Sequence, residues 1–368
     1  MTRRRIRVAV LYGGRSTEHE ISLLSARNVI EQLDRERYEV VPIAVDREGA
    51  WHAQDLDRLL AAPGPALPIA TTTAPLSPAP RPTDAPLAAA AEGGIDVVFP
   101  VMHGPLCEDG ALQGLLELSD LPYVGAGVLG SAVCMDKDVS KRLVASAGVA
   151  HTAYVSVRRG RWHRDPASVR EAVCGELGFP VFVKPANLGS SIGITRVDDG
   201  SQLVQAIDFA FEYDTKVLVE QAVDAREIEL AVLEAVEPDA DPEVSLPGEV
   251  VAAESFYSFE RKYVDDDGAE LHIPADLEPG QRAEAQAIAR RVFAALECEG
   301  MARVDLFLER ESGRFLFNEA NTIPGFTAIS QYPKLWEASG LPYPDLLARL
   351  VDLALERHAE RRQLRRIR

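Results

Sequence analysis

The chain has 368 residues, 46% hydrophobic and 26% charged, enough apolar material for two or three domains with full cores. Its formal net charge of −18 repels nucleic-acid phosphates and excludes a broad nucleic-acid footprint. A small anion in a local basic pocket stays open. No stretch approaches the roughly 18 apolar residues of a membrane span. The four cysteines, Cys107, Cys134, Cys174 and Cys298, are too scattered for a disulfide framework or a zinc site. They read as reduced thiols of a cytosolic protein.

In chain order, Ile6–Tyr12 reads as a buried strand ending in Gly13-Gly14; Arg7 interrupts it and it is too short for a secretory core. Glu20–Leu33 has helical spacing, with Ile21, Leu24, Val29 and Leu33 near one face. Strands follow at Tyr38–Val45 and Ile95–Met102, then a helix at Gly110–Leu118. Continuous apolar strands separated by helices predict a parallel α/β sheet covered on both faces. Ala62–Gly94, rich in Ala, Pro and Thr, predicts a long surface loop with no packed element.

From about Ser140 the character changes. A helix carries Lys137 and Lys141 through Ala147, followed by a strand at Tyr154–Val157 and a helix near Ala167–Leu177. The strand Pro180–Lys184, the loop Pro185–Gly193, the strand Ile194–Val197, the helix Gln202–Tyr213 and the strand Val217–Glu220 complete an α+β unit. The last third predicts strands at Ile228–Glu234 and near Glu249–Ala253, a polar loop Phe256–His272 and a helix Gln281–Leu296. Strands Ala302–Glu309 and Arg314–Glu319 flank the turn Glu311-Ser312-Gly313, a hairpin signal, and Pro344–Arg357 is a closing amphipathic helix.

Several residues carry chemistry. Alternation puts Arg303 and Asp305 on one face of their strand, and Glu319 and Asn321 on one face of the next. If the faces coincide, two carboxylates and an amide oxygen converge, a hard donor set suited to Mg²⁺; the plainer reading is a solvated face with Arg303 paired to Asp305. Lys184 ends a strand and precedes the small-residue loop Gly189-Ser190-Ser191, whose amides could cradle phosphate. The order strand–loop–strand, with the lysine before the glycines, is not a P-loop. Glu18 follows the first strand and His103 the third, both at carboxyl ends where ligands bind in open α/β folds; a helix-capping charge and a structural histidine are the plain alternatives. Phe256, Tyr257, Phe259, Lys262 and Tyr263 crowd a polar loop, as core cover or as a lid.

Taken together, GGRSTEHEIS (13–22), VMHG (101–104), MDKDVSK (135–141), VKPANLGSSIG (183–193), FYSFERKY (256–263), ARVDLFL (302–308) and FNEANTIPGFT (317–327) resemble the D-alanine–D-alanine ligases of the ATP-grasp superfamily, in order and spacing over nearly the whole chain. The resemblance implies an N-terminal parallel α/β domain (1–138, with the insertion 62–94) followed by a two-lobed ATP-grasp fold (139–219 and 220–368). It implies that Lys137, Lys184, Gly189, Ser191, Glu220, Glu227 and Lys262 hold ATP, with Glu227 on the ribose. Asp305, Glu319 and Asn321 would hold Mg²⁺, with Mn²⁺ as a substitute and K⁺ as an open question. Glu18 would bind the first D-alanine with His103 nearby, Glu18, Ser190 and Tyr263 would form a triad, and Ser330 would hold the second D-alanine. Arg303 would stabilise the oxyanion of amine attack on an acyl phosphate. A cytoplasmic homodimer with no membrane and no nucleic-acid partner completes the expectation.

The ending Lys262-Tyr263 resembles dipeptide-forming members rather than those that use D-lactate. The competing readings are another ATP-grasp acid–amine ligase, a D-alanine–D-lactate ligase and a non-catalytic nucleotide-binding regulator. Cys107 stands where the family usually has glycine, which predicts backbone strain if φ is positive there, and a thiol near the site.

Overall fold

A computed structural model describes residues 4–70, 94–237, 240–252 and 269–365. The first sheet has the order β3-β2-β1-β4, built from β1 (Ile6–Gly13), β2 (Tyr38–Val45), β3 (Trp51–Ala53) and β4 (Val97–Pro100). β1 pairs in parallel with both β2 and β4, as predicted, while β3 adds an antiparallel edge that was too short to read from the sequence. The helix α1 (His19–Gln32) links β1 to β2, and α2 (Leu56–Ala61) is started by Asp55, whose carboxylate accepts from the Arg58 amide at 2.9 Å.

Both faces of this sheet are covered. On one side α3 (Ala111–Leu118) contributes Leu112 and Leu116 to a core with Ala9, Leu11, Val98 and Cys107. The other face packs Val8, Val10, Tyr12 and Phe99 against α1 and against elements from the far end of the chain. The predicted loop 62–94 is in part corrected. Residues 71–93 lie outside the described residues, but 62–70 are not merely surface: Leu67 is buried in the same core and its amide donates to Leu23 O at 3.3 Å.

After α4 (Val128–Met135) comes α5 (Lys137–Ser146), capped by Asp136, which accepts from the Val139 amide at 3.1 Å. A four-stranded antiparallel sheet, β5-β8-β6-β7, follows: β5 (Tyr154–Arg158), β6 (Val181–Pro185), β7 (Thr195–Val197) and β8 (Lys216–Gln221). Helices α6 (Arg159–Arg164), α7 (Pro166–Glu176) and α8 (Leu203–Ala210) complete that lobe, and its core draws Trp162, Val169, Val173, Leu203 and Ile207 against the strands.

The third sheet has β9 (Ala225–Leu233) beside β13 (Met301–Glu309), which pairs with β14 (Phe315–Asn321); β10 (Glu243–Val244), β11 (Gly248–Ala252) and β12 (Ala269–His272) extend the other edge. The end of the predicted polar loop Phe256–His272 is thus the strand β12, while 253–268 lie outside the described residues. The helix α9 (Pro279–Ala295) covers this sheet, joined by Cys134 of α4 and Val144 of α5. Finally α10 (Gln331–Ala338) and α11 (Tyr343–Gln363) place Tyr332, Trp336, Leu346 and Leu350 onto the first sheet, so first and third units share one core. Among the described residues no helix is long and apolar enough to cross a membrane.

Candidate active site

The hairpin faces do coincide. Asp305 sits opposite Glu319 and Arg303 opposite Asn321 across β13 and β14. A bulge makes this possible: the register passes from Leu306↔Phe317 to Asp305↔Glu319, leaving Asn318 as the extra residue. In an unbroken strand Phe317 and Glu319 would share a face. With the bulge Phe317 is fully buried in the core and Glu319 turns to the opposite side. Asn321 Nδ2 donates to Asp305 Oδ2 at 3.1 Å. The expected pairing of Arg303 with Asp305 is present, its guanidinium gripping the carboxylate with Nε at 2.7 Å and Nη2 at 2.6 Å, although Asp305 is buried and the face is not simply solvated.

Sequence reasoning missed Glu229. It lies opposite Asp305 on β9, and one of its oxygens is 3.3 Å from Arg303 Nε. The alternation Glu227-x-Glu229 could have placed both on one face of β9.

A second cluster sits where the middle lobe meets α5. Lys184 Nζ is 2.9 Å from Glu220 Oε2, and Lys141 Nζ is 3.2 Å from the same oxygen. All three are buried. Burial works against the ionised carboxylate of Glu220, but the two ammonium charges outweigh it and bring its pKa down to about 2. Lys141, desolvated and beside Lys184, is brought down to about 8 despite Glu220. Lys137, one helical turn before Lys141, spans to the first cluster: its Nζ donates to Leu188 O at 2.6 Å and lies 3.1 Å from Glu319. Lys137, Leu188, Gly189, Glu319 and Asn321 line one cleft, with Cys134 and Glu108 on its wall.

The loop after β6 is fixed at its start by Asn187, whose amide and Nδ2 donate to Asp214 Oδ2 at 2.8 and 2.9 Å. It then takes an unusual course: Ser190 and Ser191 have φ of 51° and 58°, sparsely populated for residues with a Cβ. That course brings the Ser190 hydroxyl to Glu18 Oε1, to which it donates. Glu18 is buried in the turn after β1, beside the turn after β4; these two strands are neighbours without being consecutive, the point where open α/β sheets form a crevice. Gly104 permits the contact, since its φ is +79° and a Cβ there would fall 2.7 Å from Glu18 Oε2 and 2.5 Å from Ser16 Oγ.

His103 is buried next to this turn. Its Nδ1 donates to Ile323 O at 3.1 Å and its Nε2 lies 3.3 Å from Ser25 Oγ. Burial disfavours its charged ring, yet Glu108 and Glu18 raise its pKa overall. The contacts of His103 fit its plain structural reading: it ties the first sheet to the 323–327 loop. Ser330 begins α10, and its Oγ accepts from the Thr327 amide at 2.9 Å. Glu227 is exposed on β9. Lys262 and Tyr263, with the triad role of Tyr263, lie outside the described residues.

The expectation for Cys107 is corrected. Its φ is not positive; the left-handed residue is its neighbour Leu106, at 71°. The thiol is buried beside acidic groups, which pushes its pKa up, so it is no reactive nucleophile. All four thiols are free, as expected, although Cys134 and Cys298 meet in the core with sulfurs 3.4 Å apart. Cys174 alone of the four is exposed. A disulfide reagent such as DTNB should therefore titrate a single thiol in the native protein and four after denaturation, and Cys174→Ser should abolish the native reaction. Rapid native release from three or four thiols would contradict the packing.

Comparison with known proteins agrees with this geometry. Residues 7–126 match the family model described as D-ala D-ala ligase N-terminus, and residues 143–352 match D-ala D-ala ligase C-terminus. The D-alanine–D-alanine ligase A of Bradyrhizobium diazoefficiens is 53% identical, covering 98% of each chain. Among solved structures, the D-alanine–D-alanine ligase of Coxiella burnetii superposes with a TM-score of 0.81 at 37% identity, covering 98% of this chain and 96% of that one. The D-Ala:D-Ser ligase of Enterococcus faecalis superposes at 0.79 and 33% identity, covering 95% and 100%. Its fold is that of these ATP-grasp enzymes, and the chain belongs to the D-alanine–D-alanine ligase family.

Proposed function

We propose that the chain joins two D-alanine molecules at the expense of ATP, through an acyl phosphate, to supply D-alanyl-D-alanine for peptidoglycan synthesis. The observation that carries this is the convergence of Glu319 and Asn321 with Lys137 on one cleft, with Asp305 paired to both across the hairpin, in a chain 53% identical to a D-alanine–D-alanine ligase.

A carboxylate is a poor acyl donor because its leaving group would be oxide. Phosphorylation of the first D-alanine gives it a good leaving group, and the amine of the second then attacks. The protein has charge to offer at each stage. Lys137 and Lys184 suit the ATP phosphates, with the amides of Gly189 and Ser191 beside them and Glu220 and Glu227 toward the nucleoside. Asp305, Glu319 and Asn321 are hard oxygen donors that fit Mg²⁺, or Mn²⁺ in its place, with the remaining ligands from phosphate and water. When bound, the ion would neutralise charge on the phosphate oxygens. Arg303, held in plane by Asp305, presents a permanent charge for the oxyanion that forms on amine attack.

Glu18 carries a negative charge in the crevice for the first D-alanine ammonium, and Ser190 orients it while tying the middle lobe to the first domain. Ser330 serves the carboxylate of the second D-alanine, and Lys262 and Tyr263 would close the loop against water, which destroys acyl phosphates. Free thiols are in keeping with a cytoplasmic enzyme; a homodimer belongs to the same reading.

The test is ADP release with Mg²⁺-ATP and D-alanine, L-alanine, D-alanine plus D-lactate, or D-alanine plus D-serine, with products weighed by mass spectrometry. D-alanine alone should suffice and give the dipeptide. Release only in the presence of D-lactate or D-serine would move the reading to another member activity. A folded, ATP-binding protein silent with every set would favour the regulator.

A further inference from the structure

Lys141 has no role in the reaction just described, yet among the described residues it is the most deeply buried charged side chain, at 0% exposure. It stands on α5 four residues after Lys137 and reaches two strands and the segment that precedes β5. Its Nζ lies 3.2 Å from Glu220 Oε2 on β8, donates to Thr152 Oγ1 at 3.0 Å, and donates to Phe317 O on β14 at 3.3 Å. A buried ammonium is costly unless its charge and its protons all find partners, and here they do.

The arrangement contains one carboxylate and two lysines, because Lys184 uses the same Glu220 oxygen at 2.9 Å. If Glu220 had Lys184 as its sole counterion, Lys184 could turn to a phosphate only by abandoning a buried anion. Lys141 removes that conflict. It is anchored by Thr152 and Phe317 and stays in place, so Glu220 remains neutralised when Lys184 leaves. We propose that Lys141 is a positioning residue that holds the Glu220 carboxylate so that Lys184 is released to the phosphates of ATP. The proposal rests on the nucleotide reading of this cleft and deepens it, assigning to α5 the task of keeping one lysine available.

Calorimetric binding of ADP to the full-length protein tests it, with wild type, Lys141→Gln, Glu220→Gln and Lys141→Gln/Glu220→Gln compared. Lys141→Gln keeps hydrogen-bonding capacity and volume but loses the charge. It should weaken ADP binding roughly ten- to a hundredfold and raise the KM for ATP far more than it lowers kcat at saturating ATP, with the KM for D-alanine unmoved. The loss of ADP affinity on Lys141→Gln should be much smaller in the Glu220→Gln background than in the wild-type one, because no carboxylate then competes for Lys184, and comparison within each background cancels Glu220's own contact with the nucleoside. A lysine that acts independently of Glu220 gives the same loss in both backgrounds. An equal loss in both, or a single Lys141→Gln variant that binds like wild type, would overturn the proposal.

If Lys141→Gln does not fold, Lys141→Met replaces it. Should neither fold, or fold only when Glu220→Gln accompanies it, Lys141 is a structural counterion of Glu220 and the proposal is overturned. Wild-type protein that binds no ADP at all would sink the nucleotide reading itself, a different outcome from wild-type binding with an equal loss in both backgrounds.

Discussion

Glu319→Ala should lower kcat by roughly 10²- to 10³-fold, the loss of a few kcal/mol of charge stabilisation around the transferring phosphoryl group. The fold should be nearly untouched. Glu319 is partly exposed on the hairpin face, and its partner Lys137 keeps the Leu188 carbonyl at 2.6 Å. The loss should therefore show in turnover, not in thermal melting, and raising Mg²⁺ or Mn²⁺ should recover only part of it. Initial rates over a metal titration, with a parallel melt, check this. Near-wild-type turnover would mean that the bulge at Asn318 turns Glu319 outward for some other purpose. A large drop in melting temperature would mean that Glu319 is a structural residue.

Glu220→Ala should have the largest effect on stability, about 3–5 kcal/mol. It removes the shared anion of Lys141 and Lys184, which are 0% and 6% exposed, and leaves two buried ammonium groups repelling each other. Chemical denaturation of the variant beside wild type measures it. The pH dependence has a definite sign. The folded-state pKa of Glu220 lies at about 2, below its ordinary 4.5, so its contribution is complete above the ordinary value and fades as pH falls from there toward about 2. Wild type should lose this increment across that acid window, and Glu220→Ala should lack it, so the two stabilities converge at low pH. A constant gap down to pH 2 would contradict the assignment of the shared charge to Glu220. Loss below 1 kcal/mol at neutral pH would do the same.

Much of the molecule is legible in the sequence where one local rule suffices. The bounds of β2, Tyr38–Val45, are those of its apolar run, and α1 falls within a residue of the periodic stretch. The alternation Arg303-x-Asp305 and Glu319-x-Asn321 pointed to one polar face, and the strands do set these residues opposite one another. What was not legible depends on pairing at a distance. The bulge at Asn318 is a property of two strands together. Nothing in 315–321 alone says where the register slips, and a strict period of two would have put Phe317 and Glu319 on the same face.

The same holds for Lys141, which reads as one more polar position of a helix until β8 brings Glu220 against it from far along the chain. Cys134 and Cys298 are 164 residues apart and touch only because α4 packs into the core under β13 and β14. The strain near Cys107 was expected one residue late: the left-handed turn falls on Leu106, where the chain reverses before Asp109 accepts the Leu106 amide at 2.8 Å. Short elements such as β3 and α4 escaped because they carry no clear period of their own and are stabilised by what they pack on.

Positional isotope transfer is the most direct test of the central claim, that this cleft passes the γ-phosphoryl group of ATP to the carboxylate of D-alanine before the amide bond forms. The enzyme is given Mg²⁺-ATP and D-alanine labelled with ¹⁸O in its carboxylate, and the released phosphate is analysed by mass. The account predicts one ¹⁸O in each inorganic phosphate formed, with ADP as the unlabelled co-product. Unlabelled phosphate alongside dipeptide, or ¹⁸O carried into AMP, would contradict it.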